Sequence, residues 1–178
     1  MANSYFQFKQ FTIHQDRCAM KVTTDACLFG AWVAHEVESD PGSDREKVEN
    51  ALDIGTGTGL LSLMLIQKNP EIKILALEID KSAADQAAAN IDASLWKDQV
   101  DIVEGDVKVH SFPEKFDLIV SNPPFYETEL RSGTQQKNIA FHSDNLTLHE
   151  LLHAIKTNLG ADGNFYLLLP YKRNDEIK

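Results

Sequence analysis

Residues 121–125, Ser-Asn-Pro-Pro-Phe, bring together groups able to hold a planar amine. The apolar run at 116–120 just before them reads as a buried parallel strand. Asn122 therefore falls just past a strand's C-terminal end, where open α/β sheets place their ligands. Pro123 and Pro124 fix the backbone and remove two amide donors. The following proline also keeps Asn122 out of the helical region. What remains is a stiff turn with an Asn oxygen and free carbonyls as acceptors, and the ring of Phe125 for stacking. A planar substrate carrying an NH2 group fits that set. An ordinary proline-rich turn fits it too, so the rest of the chain has to discriminate.

A second group of residues suits close approach to a ligand. Residues 51–54 read as a short strand, 55–59 (Gly-Thr-Gly-Thr-Gly) as a turn, and 60–69 as a helix that stops at Pro70. Gly55, Gly57 and Gly59, with Thr56 between the first two, permit positive φ and leave room for a ligand. The helix that follows offers free N–H groups. Glu78 ends the next strand, about twenty residues on, where a carboxylate can accept from ribose hydroxyls. That much suits a dinucleotide and a methyl donor alike. Asp53 and Asp106 separate the two. A carboxylate at Asp53, just before the turn, faces an amino group and repels a pyrophosphate. Asp106, at the end of the third strand, is placed to accept from an adenine amine. The plainer alternatives are loop solvation for Asp53 and a capping role for Asp106.

Residues 149–153, His-Glu-Leu-Leu-His, match a zinc-protease helix: two histidine ligands one turn apart and a glutamate base, with Glu176 downstream. The match is short. It falls in an amphipathic helix whose Leu148, Leu151, Leu152 and Ile155 face a sheet, and it leaves the glycine turn without a use. His14, His35, His110 and His142 form no ligand spacing, and no metal is expected.

These groups need a scaffold. From Asn50 on, strands at 51–54, 73–79, 100–106, 116–120 and 163–170 alternate with helices at 60–69, 81–96 and 146–159, the last ended by Gly160. Such alternation implies right-handed βαβ crossovers and a parallel sheet. Before it, 5–14 alternates as one or two short strands, 15–22 is a tight charged segment, and 23–33 is a helix capped by Thr23, Thr24 or Asp25. The acidic Pro-Gly stretch 35–49 reads as a linker. The expected division is an N-terminal extension over 1–48 packed on a main domain over 49–178.

At 178 residues and 43% hydrophobic content the chain suits one domain with a small appendage. A net charge of −10 disfavours nonspecific nucleic-acid binding unless basic residues gather on one face. Cys18 and Cys27 form no CxxC and read as reduced thiols. There is no signal-peptide pattern and no long apolar run, so a cytoplasmic protein that does not enter the membrane is expected.

Taken together, LDIGTGTG, LEID, EGDV and SNPPF resemble the class I S-adenosylmethionine-dependent methyltransferases, and within them the branch that methylates nitrogen through an (N/D)PP(Y/F) motif. The block at 8–32, FKQFTIHQDRCAMKVTTDACLFGAW, is similar to the start of the bacterial enzymes that methylate N6 of adenosine 37, beside the anticodon of a valine tRNA. The resemblance runs from about Phe6 to Pro170. It implies a Rossmann-like, mostly parallel twisted sheet with helices on both faces and a short N-terminal β/α extension. It implies S-adenosylmethionine as cofactor, S-adenosylhomocysteine as product and tRNA as partner. Cofactor-binding residues would be Asp53, Gly55, Thr56, Gly57, Gly59, Glu78, Ile79, Asp106, Val107 and Asn122, joined by Thr24 and Asp25 at a helix start. Asn122 and Pro123 would accept the amine hydrogens, with Pro124 stiffening the turn and Phe125 stacking the base for about 1–3 kcal/mol. Lys21, Arg131, Lys137, Lys172 and Arg173 are the expected RNA contacts, and Lys21 could instead meet the donor carboxylate.

The chain departs from the family in two places. The family's sheet has seven strands, whereas this chain ends at YKRNDEIK just after the fifth, so the last two strands are expected to be missing. Phe125 stands where the family tends to carry Tyr. Phe also occurs in guanine-N2 methyltransferases, which leaves that activity and protein glutamine N5-methylation as alternatives. A nicotinamide dehydrogenase has no use for Asp53 or the proline turn. A non-catalytic nucleotide- or RNA-binding module is the alternative outside enzymes.

Overall fold

The computed structural model describes residues 3–38, 47–123 and 146–171. The chain opens with an antiparallel pair, β1 (Tyr5–Gln7) and β2 (Thr12–His14), followed by helix α1 (Thr24–Glu36). Then come β3 (Asn50–Ile54), α2 (Leu60–Ile66), β4 (Lys73–Glu78), α3 (Lys81–Asp92), β5 (Val100–Glu104), β6 (Phe116–Ser121), α4 (Leu148–Asn158) and β7 (Leu159–Leu167).

β3 to β7 form one parallel sheet in the order β5-β4-β3-β6-β7. The chain winds outward from β3 through β4 to β5, then restarts at β6 on the other side. The reversal falls between the C-terminal ends of β3 and β6, where a doubly wound sheet opens a crevice. Period-two alternation sorts the strand residues onto two faces. Ala51, Ile74, Ala76, Leu118 and Val120 join one core with α1 and α2. Leu52, Ile54, Leu77 and Ile119 join a second with Leu151, Ala154 and Ile155 of α4. The Rossmann-like expectation is met.

Every residue of α2 is buried, because the sheet covers one side and α1 the other. That approach depends on Gly30. A Cβ there would stand 2.7 Å from Met64 Sδ and 3.2 Å from Leu61 Cδ2. Phe11, just before β2, and Ile13 within it enter the same core as α1.

Several boundaries differ from the expected ones. The helix over 81–96 ends at Asp92, and the chain turns through 93–99 to bring Trp96 edge-on to Phe11, 6.3 Å between rings. The helix expected to run to Asn69 stops at Ile66, and Asn69 turns its side-chain amide onto the Ala34 carbonyl at 3.3 Å. The third strand ends at Glu104, leaving Asp106 in the following turn. Gly160, expected to stop a helix, already lies in β7. The pairing there jumps from Phe116↔Leu159 to Leu118↔Asn164, and a Cβ on Gly163 would lie 2.9 Å from the Phe116 carbonyl oxygen. These two glycines accommodate an irregular sheet edge. Cys18 and Cys27 are free thiols. No helix among the described residues is long and apolar enough to cross a membrane.

Candidate active site

The turn after β3 takes the shape its glycines allow. Gly55, Gly57 and Gly59 have φ of 71°, 57° and 80°, in the left-handed region that residues with a Cβ rarely enter. The Gly55 and Thr56 N–H groups donate to the Leu77 carbonyl at 2.8 and 3.2 Å, fastening the turn to the end of β4. Glu78 completes the fastening. Its Oε2 accepts from the Gly57 N–H at 2.9 Å and its Oε1 from the Asp80 N–H at 3.0 Å. Each oxygen keeps a further lone pair for a ligand hydroxyl.

Over this turn opens a cavity of about 620 Å³ at the reversal of strand order, a size that suits a nucleoside-like ligand. Gly55, Thr56, Gly57, Glu78, Ile79, Asp106, Val107, Asn122 and Pro123 all line it, as does Lys21. Residues widely separated in the chain thus meet in one space. Ile79 is 54% exposed although apolar, and with Val107 it offers two aliphatic surfaces for a flat ring. Asp106 combines both roles considered for it. Its Oδ1 caps the turn by accepting from the Lys108 N–H at 2.9 Å, while the residue borders the cavity.

Four expected donor contacts fall elsewhere. Asp53 is fully buried and does not line the cavity. Its Oδ2 accepts from the Thr56 and Ser62 hydroxyls, both at 2.7 Å, while Oδ1 is buried without a partner among the described residues. Burial pushes its carboxyl up to about 6, against the lowering by those two hydroxyls. Thr24 and Asp25 are exposed on the first turn of α1 and do not line the cavity. The cap is Thr23, which accepts from the Ala26 N–H at 3.2 Å. Their orientation follows from the docking of α1, whose Ala26, Phe29, Gly30 and Val33 turn inward. Gly59, the last glycine, supports the turn from outside the lining and packs near Ala87.

Lys21 borders the cavity, but its ammonium donates to the carbonyls of Gln15 and Cys18. At least two of its three N–H groups therefore serve the loop rather than a phosphate. Pro124, Phe125, Arg131, Lys137, Lys172, Arg173, His142, Glu176 and most of the acidic linker lie outside the described residues. The His-Glu-Leu-Leu-His segment has a structural use. Glu150 accepts from the Thr147 N–H at 2.8 Å while Thr147 Oγ1 accepts from the Glu150 N–H, a reciprocal cap at the start of α4.

In the loop at 16–22 the sequence marks Lys21 alone, whereas Arg17, Cys18 and Met20 line the same wall of the cavity. One signal was available. Gln86 and Asn90 stand in register with Ala83, Ala87 and Ile91 on the buried side of α3, and buried amides require partners.

Comparison with known proteins bears on the family and the fold. Residues 42–170 match the methyltransferase small domain. A tRNA1(Val) (adenine(37)-N6)-methyltransferase of Bacteroides thetaiotaomicron is 45% identical over all of this chain and 71% of its own length. One of Dyadobacter fermentans is 44% identical over 94% of this chain and 66% of its own length. Among solved structures, a putative S-adenosyl-L-methionine-dependent methyltransferase from Methanococcus maripaludis superposes with a TM-score of 0.56 at 24% identity, covering 81% of this chain and 57% of that one. Coclaurine N-methyltransferase superposes with a TM-score of 0.55 at 18% identity, covering 84% of this chain and 39% of its own. These two share the fold. With a family match across most of its length and a relative 45% identical over all of this chain, the chain belongs to the methyltransferase small domain family.

Proposed function

We propose that the cavity binds S-adenosylmethionine and that the protein transfers its methyl group to the exocyclic N6 amine of an adenosine in tRNA, position 37 of a valine tRNA as in the relatives' names. S-adenosylhomocysteine is the product, and the cytoplasm is the place of action. The observation that carries this reading is that Asn122 and Pro123 line the same cavity as the glycine turn and Glu78. Acceptors for an amine and a cradle for its methyl donor share one space.

The residues suit the donor. Glu78 has lone pairs left for ribose hydroxyls, Ile79 and Val107 can flank the adenine, and Asp106 can accept from its amine. The Gly55 and Gly57 positions carry no Cβ to keep a ligand off the backbone. When bound, the donor supplies an electrophilic methyl group on a sulfonium.

The chain's own residues make the amine reactive. The N6 lone pair is delocalised into the ring, so the nitrogen is a poor nucleophile. Asn122 Oδ1 and the Pro123 carbonyl accept its two hydrogens, drawing the nitrogen toward tetrahedral geometry and aiming the lone pair into the cavity. Catalysis on this scheme is positioning and electrostatics. Phe125 stacks the base after it leaves the anticodon stack. Arg131, Lys137, Lys172 and Arg173 meet RNA phosphates. Methyl transfer from radiolabelled donor to bulk tRNA, followed by nucleoside analysis, tests the reading. N6-methyladenosine is expected. Methylguanosine, or label in protein, would reject the substrate.

A further inference from the structure

Two buried amides on one face of α3 are tied to the donor cavity without lining it. Asn90 is 1% exposed. Its Oδ1 accepts from the His14 N–H at 2.9 Å, and its Nδ2 donates to the carbonyls of His14 at 2.8 Å and Thr58 at 2.9 Å. One turn earlier on the helix, Gln86 accepts from the Arg17 N–H at 3.3 Å. One helix face therefore grips the entry of the loop at two points and, through Thr58, joins it to the glycine turn.

The loop is also closed on itself. Gln15, 5% exposed, accepts from the Val22 N–H at 2.8 Å and donates to the Asn3 carbonyl at 2.8 Å. Lys21 ties the interior through the carbonyls of Gln15 and Cys18. Residues 16–22 make one wall of the cavity and the glycine turn makes another. Asn90 bonds to the residue that leads into the first and to a member of the second.

We propose that Asn90 is a positioning residue for the methyl donor: it sets the spacing between loop 16–22 and the glycine turn so that the cavity is built before the donor arrives, with Gln86 as a second, weaker anchor. This rests on reading the cavity as the S-adenosylmethionine site. A wall ordered in advance lowers the ordering cost of binding. Removing the anchor therefore shows in donor affinity and leaves the transfer step, which belongs to Asn122 and Pro123, nearly intact.

The test is calorimetry of S-adenosylhomocysteine binding to the chain and its variants, each below its own melting transition, with initial rates on tRNA beside it. Asn90→Ala is expected to raise Kd for S-adenosylhomocysteine and KM for S-adenosylmethionine about tenfold. At saturating donor its kcat should stay within about twofold. Gln86→Ala, which gives up one longer bond, should raise Kd about threefold. Asn90→Asp sets an anion against two carbonyls and should bind more weakly than Asn90→Ala at pH 8. Protonation returns one donor, so its Kd should fall as pH drops while that of Asn90→Ala does not. An unchanged Kd in folded Asn90→Ala, or a loss of kcat with KM unmoved, overturns the proposal. If Asn90→Ala does not fold, the Kd of Gln86→Ala decides on the same terms. A parent chain that does not bind S-adenosylhomocysteine at all overturns the donor reading beneath it.

Discussion

Among the described residues Asp53 has no charge partner, two hydroxyl donors on one oxygen, and nothing on the other. Ionising it in that setting opposes folding. Its carboxyl is pushed from 3.8 up to about 6, chiefly by burial. A carboxyl raised in the folded state holds its proton there while the unfolded chain releases it. Its stabilising contribution is complete below pH 3.8 and is lost as pH rises through about 6. Two units at about 1.4 kcal/mol each give a loss of about 3 kcal/mol across that window. The perturbation is Asp53→Asn, whose amide oxygen can still accept from Thr56 and Ser62 and which does not titrate. The assay is urea unfolding of both chains at half-unit steps from pH 3.5 to 7.5. Taking the difference between the chains cancels the other titrating groups. The parent should lose about 3 kcal/mol relative to the variant between pH 3.5 and 7, then run parallel to it. Parallel curves throughout, within about 0.5 kcal/mol, would refute the argument, because Asp53 would then titrate as in the unfolded chain.

Asn122→Ala should lower kcat about 100-fold while leaving Kd for S-adenosylhomocysteine within about threefold; lost donor binding in calorimetry would move Asn122 from the amine to the cofactor. Gly30→Ala places a Cβ 2.7 Å from Met64 Sδ. Despite the better helix propensity of Ala, a thermal melt should show net destabilisation of about 1–2 kcal/mol. Thr147→Ala removes the reciprocal cap of α4. It should cost about 1 kcal/mol in urea unfolding without altering donor affinity.

Much of the main sheet was legible because its signals are local. Alternating strands, a glycine turn and a proline turn each act over a few residues, so 51–59, 73–78 and 116–123 were assigned to the correct elements. Helix ends were less legible. Gly160 looks like a helix stop by propensity, yet the edge strand needed it against the Phe116 backbone. The histidine pattern at 149–153 is ambiguous in sequence because the same Glu150 that suits a metal-site helix also suits a cap with Thr147.

The amino-acid sequence by itself determined which residues could make the site: glycines able to take positive φ, acids at strand ends, and an Asn ahead of two prolines. Those properties belong to single residues and short spans. Only the tertiary structure decided which of them face the cavity. Asp53 has the charge for a donor contact but is aimed at Thr56 and Ser62 beneath the turn. Thr24 and Asp25 have the polarity, but the seating of Gly30 on Met64 points their helix turn outward. Loop 16–22 meets the cavity where Gln86, some seventy residues away, takes the Arg17 N–H and Asn90 holds His14 just ahead of it. Orientation and long-range pairing are set by packing, and packing is not encoded in any single span.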